Sequence, residues 1–272
     1  MILRFRNWFL VLAAVVITAG AVSAQDAAEK KDEKKAEQKT NAKDAIKNPT
    51  VDQVVESSII IYGLGGGREK LNQIRKTALE RGKVSVTDAE GKTEQANYAR
   101  WTQRAESLKK EKVRLDQEFP TARFSLVFND EKVFGIFNDK AFTPREDASN
   151  AFLYQIVHSI DALLRYKENG SKLELAGREK IHGVEYYQVD MTDVDGNQTR
   201  FFISVKTYRV MMLDFEANGV KYRRKFYDYN YAQGTLVPYR TVLWAGDKMI
   251  EETEVGTITY GQKIEDGMFS AS

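Results

Sequence analysis

The chain has 272 residues, with 41 Lys and Arg, 39 Asp and Glu, two His and no Cys. This length is enough for one large or two small domains with a substantial core. The absence of cysteine excludes a disulfide scaffold, a thiolate metal site, a cysteine nucleophile and a lipobox. Only two histidines, His158 and His182, are present, which argues against a zinc hydrolase or a His-based triad. We therefore predict no metal and no cofactor.

Residues 1–24 have the features of a secretory signal peptide. Arg4 and Arg6 give a positive start, an apolar stretch covers residues 8–19, and small residues lead up to a cleavage site at Ala24. The apolar run is shorter than the roughly 20 residues that a membrane-spanning helix needs. Cleavage after Ala24 is therefore favoured over an uncleaved anchor, and we expect an exported, soluble protein.

The charge that remains after residue 24 is balanced. Residues 1–24 hold two Arg and no acidic residue, so the rest of the chain carries 39 basic and 39 acidic side chains. Such a chain has no net positive field to attract nucleic acid, and we expect no nucleic-acid partner. Residues 25–48 mix seven Lys with six acidic residues and no aromatic residue, which predicts a charged, disordered spacer. A single domain over residues 49–272 should follow.

Two short helices are predicted at the start of this domain. Thr50 or Asp52 can cap a helix whose apolar residues recur at helical spacing up to Tyr62. Gly63 ends it, and a second short helix follows the glycine cluster at residues 64–67. The cluster has neither the Gly-Lys-Ser/Thr ending nor the preceding strand of a phosphate-binding loop, so it is interpreted as a break between helices.

Strand patterns with a period of two follow and, after one interruption, continue almost to the end of the chain. Turn signals such as Asp195-Gly196 and Asn218-Gly219 separate about ten to twelve strands in an antiparallel meander. The interruption is a helical pattern after Thr143-Pro144, in which an apolar stripe from Phe152 to Leu164 predicts one long mid-chain helix. The sum is a mainly β (α+β) fold, with one curved antiparallel sheet, two short N-terminal helices and one long mid-chain helix.

Motifs that could support catalysis or ligand binding have simpler interpretations. The segment Asp193–Asn197 resembles a calcium loop but lacks the terminal bidentate acid, and is interpreted as a turn. His158 lies close to the apolar stripe and is expected to be buried and hydrogen-bonded, whereas His182 is expected in a hairpin turn. The basic segment 221–225 alternates cations with aromatic residues, which could indicate an RNA or phosphate patch. A solvated edge strand is the favoured interpretation.

Four segments together resemble the LolA-like family of outer-membrane lipoprotein-sorting proteins of Gram-negative bacteria. They are residues 65–75 (GGGREKLNQIR), 175–187 (LAGREKIHGVEYY), 237–240 (VPYR) and 264–269 (IEDGMF). Their order and spacing cover nearly the whole domain. The resemblance implies an incomplete β-barrel whose helices close its concave side, and a hydrophobic cavity that shields acyl chains in the periplasm.

These observations predict a non-enzymatic, monomeric periplasmic carrier or sensor for lipoprotein acyl chains or lipids, served by membrane-associated donor or acceptor proteins. Each buried methylene contributes about 0.8 kcal/mol to such binding. The predicted cavity residues are Phe152, Ile156, Ile160 and Leu163 as the lid, and Phe128, Phe137, Phe202, Met211 and Trp244 as the wall. The alternative is a periplasmic interaction or scaffold module with a filled core that binds a protein through exposed strands such as 220–226. A hydrolase that uses paired carboxylates is the least favoured hypothesis.

Overall fold

The computed structural model describes residues 48–270, and the predicted signal peptide and residues 25–47 of the predicted spacer lie outside this range. The helices are α1 Val51–Tyr62, α2 Gly67–Ile74, α3 Glu146–Val157 and α4 Ile160–Leu164, with 3₁₀ turns at Leu108–Lys110 and Asp266–Phe269. The strands are β1 Thr77–Thr87, β2 Thr93–Gln103, β3 Lys112–Glu118, β4 Arg123–Asn129, β5 Lys132–Phe137, β6 Lys140–Phe142, β7 Lys172–Ile181, β8 Val184–Thr192, β9 Gln198–Ser204, β10 Val210–Ala217, β11 Val220–Ala232, β12 Thr235–Ala245 and β13 Lys248–Tyr260.

All thirteen of these strands form one antiparallel sheet in the order β6-β5-β4-β3-β2-β1-β13-β12-β11-β10-β9-β8-β7. Two meanders, β1–β6 and β7–β13, are joined by the long-range pairing of β1 with β13. The segment with α3 and α4 connects β6 to β7, the two edge strands. The predicted mainly β fold with N-terminal and mid-chain helices is confirmed, and the short strand β6 is an element that the sequence pattern did not predict.

The N-terminal helices follow the predicted signals. Thr50 caps α1 through a capping box with Gln53, in which each side chain bonds to the other residue's backbone N–H. After α1, Gly63 has no room for a side chain, because a Cβ there would lie 2.7 Å from the carbonyl oxygen of Gly67. Arg68, within the family-like segment, donates to Leu164 O and forms an ion pair with Glu168, which fixes α2 against α4.

The helices cover one face of the sheet, called here the inner face, and form two apolar clusters with it. One cluster combines α1, α2 and α4 with strands β8–β12, and its fully buried members include Tyr62, Leu163, Phe201 and Leu213. The other combines α3 with strands β1–β4 and includes Phe152, Ile156 and Phe128. Burial of these side chains is the main favourable contribution to folding.

The prediction of one continuous mid-chain helix was wrong. Helix α3 ends at Val157, and α4 begins after Ser159, whose extended backbone and side-chain bond to Ala162 N (3.0 Å) form a new N-cap. Serine accepts such a bond readily and therefore favours a helix start over a helix interior. The break divides the predicted stripe, because Phe152 and Ile156 belong to one apolar cluster and Ile160 to the other.

The prediction that residues 221–225 lie on an edge strand was also wrong. Strand β11 pairs with β10 on one side and β12 on the other, so its backbone groups are paired on both sides. Arg223 points to the outer face and forms an ion pair with Asp214, whereas Arg224 points to the inner face and is only 7% exposed. Residues 221–225 are therefore basic although β11 is not an edge strand, because one arginine is buried on the inner face and the other is exposed on the outer face.

Candidate functional site

A cavity of about 230 Å³ lies on the inner face, between the two apolar clusters and below the break between α3 and α4. Its apolar lining includes Val84, Leu115, Ile160, Phe226, Val255 and Ile258. Its charged lining consists of Arg75, Glu80, Arg100, Arg104, Asp161, Arg224 and Glu251. The cavity is therefore amphipathic, with apolar walls and a concentration of charge that is unusual for a protein interior.

Strand alternation explains how arginines reach this cavity. On β11, Arg224 stands between Tyr222 and Phe226, both of which face the helices. On β2, Arg100 is in phase with Tyr98, a member of the second apolar cluster. Because side chains alternate along a strand, each arginine occupies a position where the pattern otherwise places core residues.

Arg224 is the most buried of the cavity's unpaired charges. Its Nη1 donates to the carbonyl oxygen of His158 at 3.2 Å, but its Nη2 is buried without a hydrogen-bond partner among the described residues. Burial lowers the pKa of Arg224; nearby Glu251 raises it and Arg100 lowers it further. The guanidinium is thus a cation whose hydrogen-bonding capacity is only partly used.

Arg100 contacts the same helix end from the other side of the cavity. Its Nη2 donates to Gln155 Oε1, while its Nε is buried without a partner in the described part of the chain. The amide nitrogen of Gln155 is 3.4 Å from Glu251 Oε2, so the glutamine connects Arg100 to the cavity's acidic residue on β13. Gln155 and His158 are three residues apart, which places the acceptors of Arg100 and Arg224 close together at the end of α3.

A second charged group in the cavity is internally neutralised. Asp161 Oδ1 lies 2.7 Å from both Arg75 Nη1 and Arg104 Nη2. Burial raises the pKa of Asp161, but the two arginines lower it more strongly and keep it well below its ordinary value. Arg75 also donates to the Thr235 hydroxyl and to Leu236 O at 2.7 Å, so α4 is anchored to β12 through this group.

His158 lies at the break between the helices and is 3% exposed. Its Nδ1 is 2.7 Å from the Thr199 hydroxyl, and its ring stacks on Phe215 with centroids 4.0 Å apart. Burial lowers its pKa to about 4; Arg224 lowers it as well, and Asp193 raises it. The ring is therefore neutral at pH 7 and acts as a packed, hydrogen-bonded group, which agrees with the sequence interpretation.

The nine predicted cavity residues are distributed over several parts of the fold. Ile160 is the one that lines the inner cavity. Four others are buried in the apolar clusters on either side of it: Phe128, Phe152, Ile156 and Leu163. Phe202 and Met211 pack with Tyr186 in a separate cluster, on the outer face. Phe137 is 49% exposed at the end of β5.

Trp244, the last of the nine, lines an open depression of about 1140 Å³ near the β8–β9, β10–β11 and β12–β13 turns. Its ring is contacted by Lys225, 5.7 Å from the ring centroid. Ion pairs between Asp190 and Arg200 and between Asp214 and Arg223 cross the strands here, so the charges of the depression largely neutralise one another.

The sequence prediction missed the polar lining of the inner cavity. A signal was present in the alternation itself, because Tyr98-x-Arg100 and Tyr222-x-Arg224-x-Phe226 place an arginine in phase with aromatic residues. Within residues 48–270, no group of three or more potential metal ligands is found. No helix in that range is long and apolar enough to cross a membrane.

No family model matches the sequence, and no curated protein matches it. The fold is similar to that of a LolA superfamily protein from Nitrosomonas europaea, with a TM-score of 0.58, 9% identity and coverage of 81% of this chain and 97% of that one. A DUF1329 family protein from Desulfovibrio piger gives a TM-score of 0.56 at 11% identity, covering 81% and 97%.

A third similar structure is a proposed outer membrane lipoprotein-sorting protein domain from Vibrio parahaemolyticus. Its TM-score is 0.50 at 11% identity, with 74% of this chain and 92% of that chain covered. At these identities the comparisons demonstrate a shared fold. The predicted resemblance to LolA-like proteins is confirmed at that level.

Proposed function

We propose that this chain is an exported, non-enzymatic periplasmic carrier or sensor that binds the acyl chain of a lipoprotein or lipid. The observation that carries this proposal is the cavity of about 230 Å³ between the helices and the inner face of a LolA-like sheet. In this proposal the sheet forms the incomplete barrel of that fold, and residues 1–24 direct export as a cleaved signal peptide.

The cavity volume indicates how a ligand would enter. A volume of 230 Å³ corresponds to roughly eight water molecules at about 30 Å³ each. Pockets for drug-sized ligands are larger, roughly 300–1,000 Å³. A complete acyl chain therefore requires α3 and α4 to move away from the sheet, and the break at His158-Ser159 is the natural place for that movement.

The polar contacts of the cavity are suited to binding rather than acid–base chemistry. Asp161 is held by two arginines, and Glu80 accepts a 2.7 Å hydrogen bond from the Tyr98 hydroxyl. The protein would act as a monomer that receives its cargo from one membrane-associated partner and delivers it to another. Release follows when helix movement opens the cavity or the acceptor binds the cargo more tightly.

The test is uptake of a fluorescent fatty acid by the exported protein and by Ile160→Glu. Ile160 lines the cavity and is 8% exposed, so a carboxylate there would place a charge against the bound chain. Ile60→Glu is the matched control, because Ile60 is a helical isoleucine that is 49% exposed.

We expect saturable uptake by the unchanged protein and by Ile60→Glu, and loss of uptake in Ile160→Glu with an unchanged far-UV circular dichroism spectrum. Undiminished uptake in a folded Ile160→Glu protein would contradict the cavity assignment. Failure of the unchanged protein to bind any acyl probe would instead favour the interaction module with a filled core.

A further inference from the structure

The inner cavity contains more positive than negative charge. Four arginines and three acidic residues line it. Asp161 neutralises part of the charge of Arg75 and Arg104, with which it forms ion pairs. Glu80 is oriented by the Tyr98 hydroxyl. The remaining group is Arg100, Arg224 and Glu251, which carries a net charge of +1.

Within residues 48–270, neither arginine of this group has a carboxylate partner. Among the described residues, no ion pair joins Arg100 or Arg224 to an acidic side chain; Glu251 raises the pKa of Arg224 and is connected to Arg100 through Gln155. Each guanidinium has five N–H donors, yet in the part of the chain that the structure describes Arg224 has one acceptor, His158 O, and Arg100 has one, Gln155 Oε1. Buried nitrogens of both side chains remain without a partner among residues 48–270.

Burying two guanidinium groups without counter-ions destabilises the folded protein unless a further group binds them. A buried cation without a counter-ion is strongly destabilising, and buried donors in native proteins are almost always paired. A guanidinium pairs best with the oxygens of a carboxylate or phosphate, because its planar N–H groups match their geometry. Both arginines line a cavity with apolar walls, so a ligand group attached to an apolar chain would be a fitting partner for them.

We propose that Arg100 and Arg224 bind the oxyanion, a carboxylate or a phosphate, of an acyl amphiphile. This inference rests on the proposed carrier function and deepens it by giving the ligand a charged head. The head occupies the end of the cavity below α3, and the chain lies along Val84, Leu115, Ile160 and Phe226. A monoanionic head neutralises the group formed by the two arginines and Glu251.

The test compares head groups on one chain length by isothermal titration calorimetry with the exported protein. The probes are decanoate, decyl phosphate, the neutral decanol and inorganic phosphate, all below the micellar concentration. The variants are Arg224→Gln and Arg100→Gln. Arg223→Gln is the matched control, because its side chain is on the opposite face, paired with Asp214.

We expect decanoate or decyl phosphate to bind about tenfold or more tightly than decanol, as a charge-assisted hydrogen bond predicts. The tighter of the two identifies the source of the oxyanion. Arg224→Gln and Arg100→Gln should each reduce this discrimination while decanol still binds, and Arg223→Gln should retain it. A purely structural role of Arg224, as a cap on the end of α3, would not alter the ratio of the two affinities.

The possible failures are distinct. Equal affinity of the unchanged protein for decanol and the two anions would overturn the oxyanion inference and leave the carrier proposal standing. Binding of inorganic phosphate that depends on Arg224, without binding of any decyl compound, would support the oxyanion site and overturn the carrier proposal. Binding of none of the probes would overturn both. The comparison of head groups needs no variant, so it holds even if Arg224→Gln does not fold.

Discussion

Protonation of His158 should destabilise the protein below pH 6.5. An unfolded histidine takes up a proton with a pKa of about 6.5, whereas burial lowers the pKa of His158 in the folded protein to about 4. Between these values the unfolded state binds more protons, so the free energy of unfolding falls as the pH falls. The contribution of His158 is complete above pH 6.5 and is lost progressively towards pH 4.

The magnitude follows from the two pKa values. Proton linkage at His158 lowers the free energy of unfolding by about 2 kcal/mol between pH 7 and pH 5, and by about 3 kcal/mol once the pH is below 4. The structural reason is that the imidazolium would be enclosed against Phe215 and close to Arg224. Burial raises the pKa of Glu111 from 4.5 to about 7, although Arg104 and Arg165 lower it. Between these values the folded state binds more protons at Glu111 than the unfolded state does, so protonation of Glu111 raises the free energy of unfolding as the pH falls.

The assay is urea unfolding at pH 7 and pH 5 for the unchanged protein, His158→Gln and His182→Gln. Because Glu111 opposes His158 over this range, the test is the change between variants: the unfolding free energy at pH 5 minus that at pH 7 should be about 2 kcal/mol more positive in His158→Gln than in the unchanged protein. His182→Gln is the matched control, because His182 lies in the exposed β7–β8 turn. Identical pH dependence in His158→Gln and the unchanged protein would show that burial of His158 does not couple its protonation to folding.

Three further substitutions test the helix layer by urea unfolding. Arg68→Ala removes the ion pairs and the carbonyl contact that fix α2, and should lower the free energy of unfolding by about 1–3 kcal/mol. Arg145→Ala is the control and should change it little, because Arg145 forms an exposed ion pair. Equal effects of the two substitutions would contradict the role of Arg68 in fixing α2. Gly63→Ala should destabilise by about 1–3 kcal/mol through a clash with backbone, whereas Gly267→Ala, with open space around it, should not. Ser159→Ala should cost about 1 kcal/mol, and no loss would show that its cap is not needed to start α4.

Local signals were sufficient to predict most of the sheet. Period-two patterns and turn pairs such as Asp195-Gly196 indicate strands and hairpins without any knowledge of distant partners. The helix break was missed because the apolar stripe continues across it and outweighed the weaker cap signal of Ser159. Strand β6, Lys140–Phe142, was not predicted because three residues are too few to show a period-two pattern.

The charged cavity was harder to predict because its residues come from distant strands. Arg100 on β2 and Arg224 on β11 reach one cavity only because β1 pairs with β13, a contact between the two ends of the domain. Apolar composition alone favoured large residues such as Phe202 and Phe137 as cavity walls. Their positions depend on which sheet face the helices cover and on whether a strand lies at an edge, and neither is encoded in a local pattern.

Native mass spectrometry of the protein purified from periplasm without detergent, with organic extraction of bound material, would show whether the protein carries an acyl ligand. We predict a discrete adduct with the mass of an acyl amphiphile, which is absent from Ile160→Glu and identified in the extract as carrying a carboxylate or phosphate. A protein that is purified without an adduct and remains so after incubation with acyl lipids would contradict the carrier function.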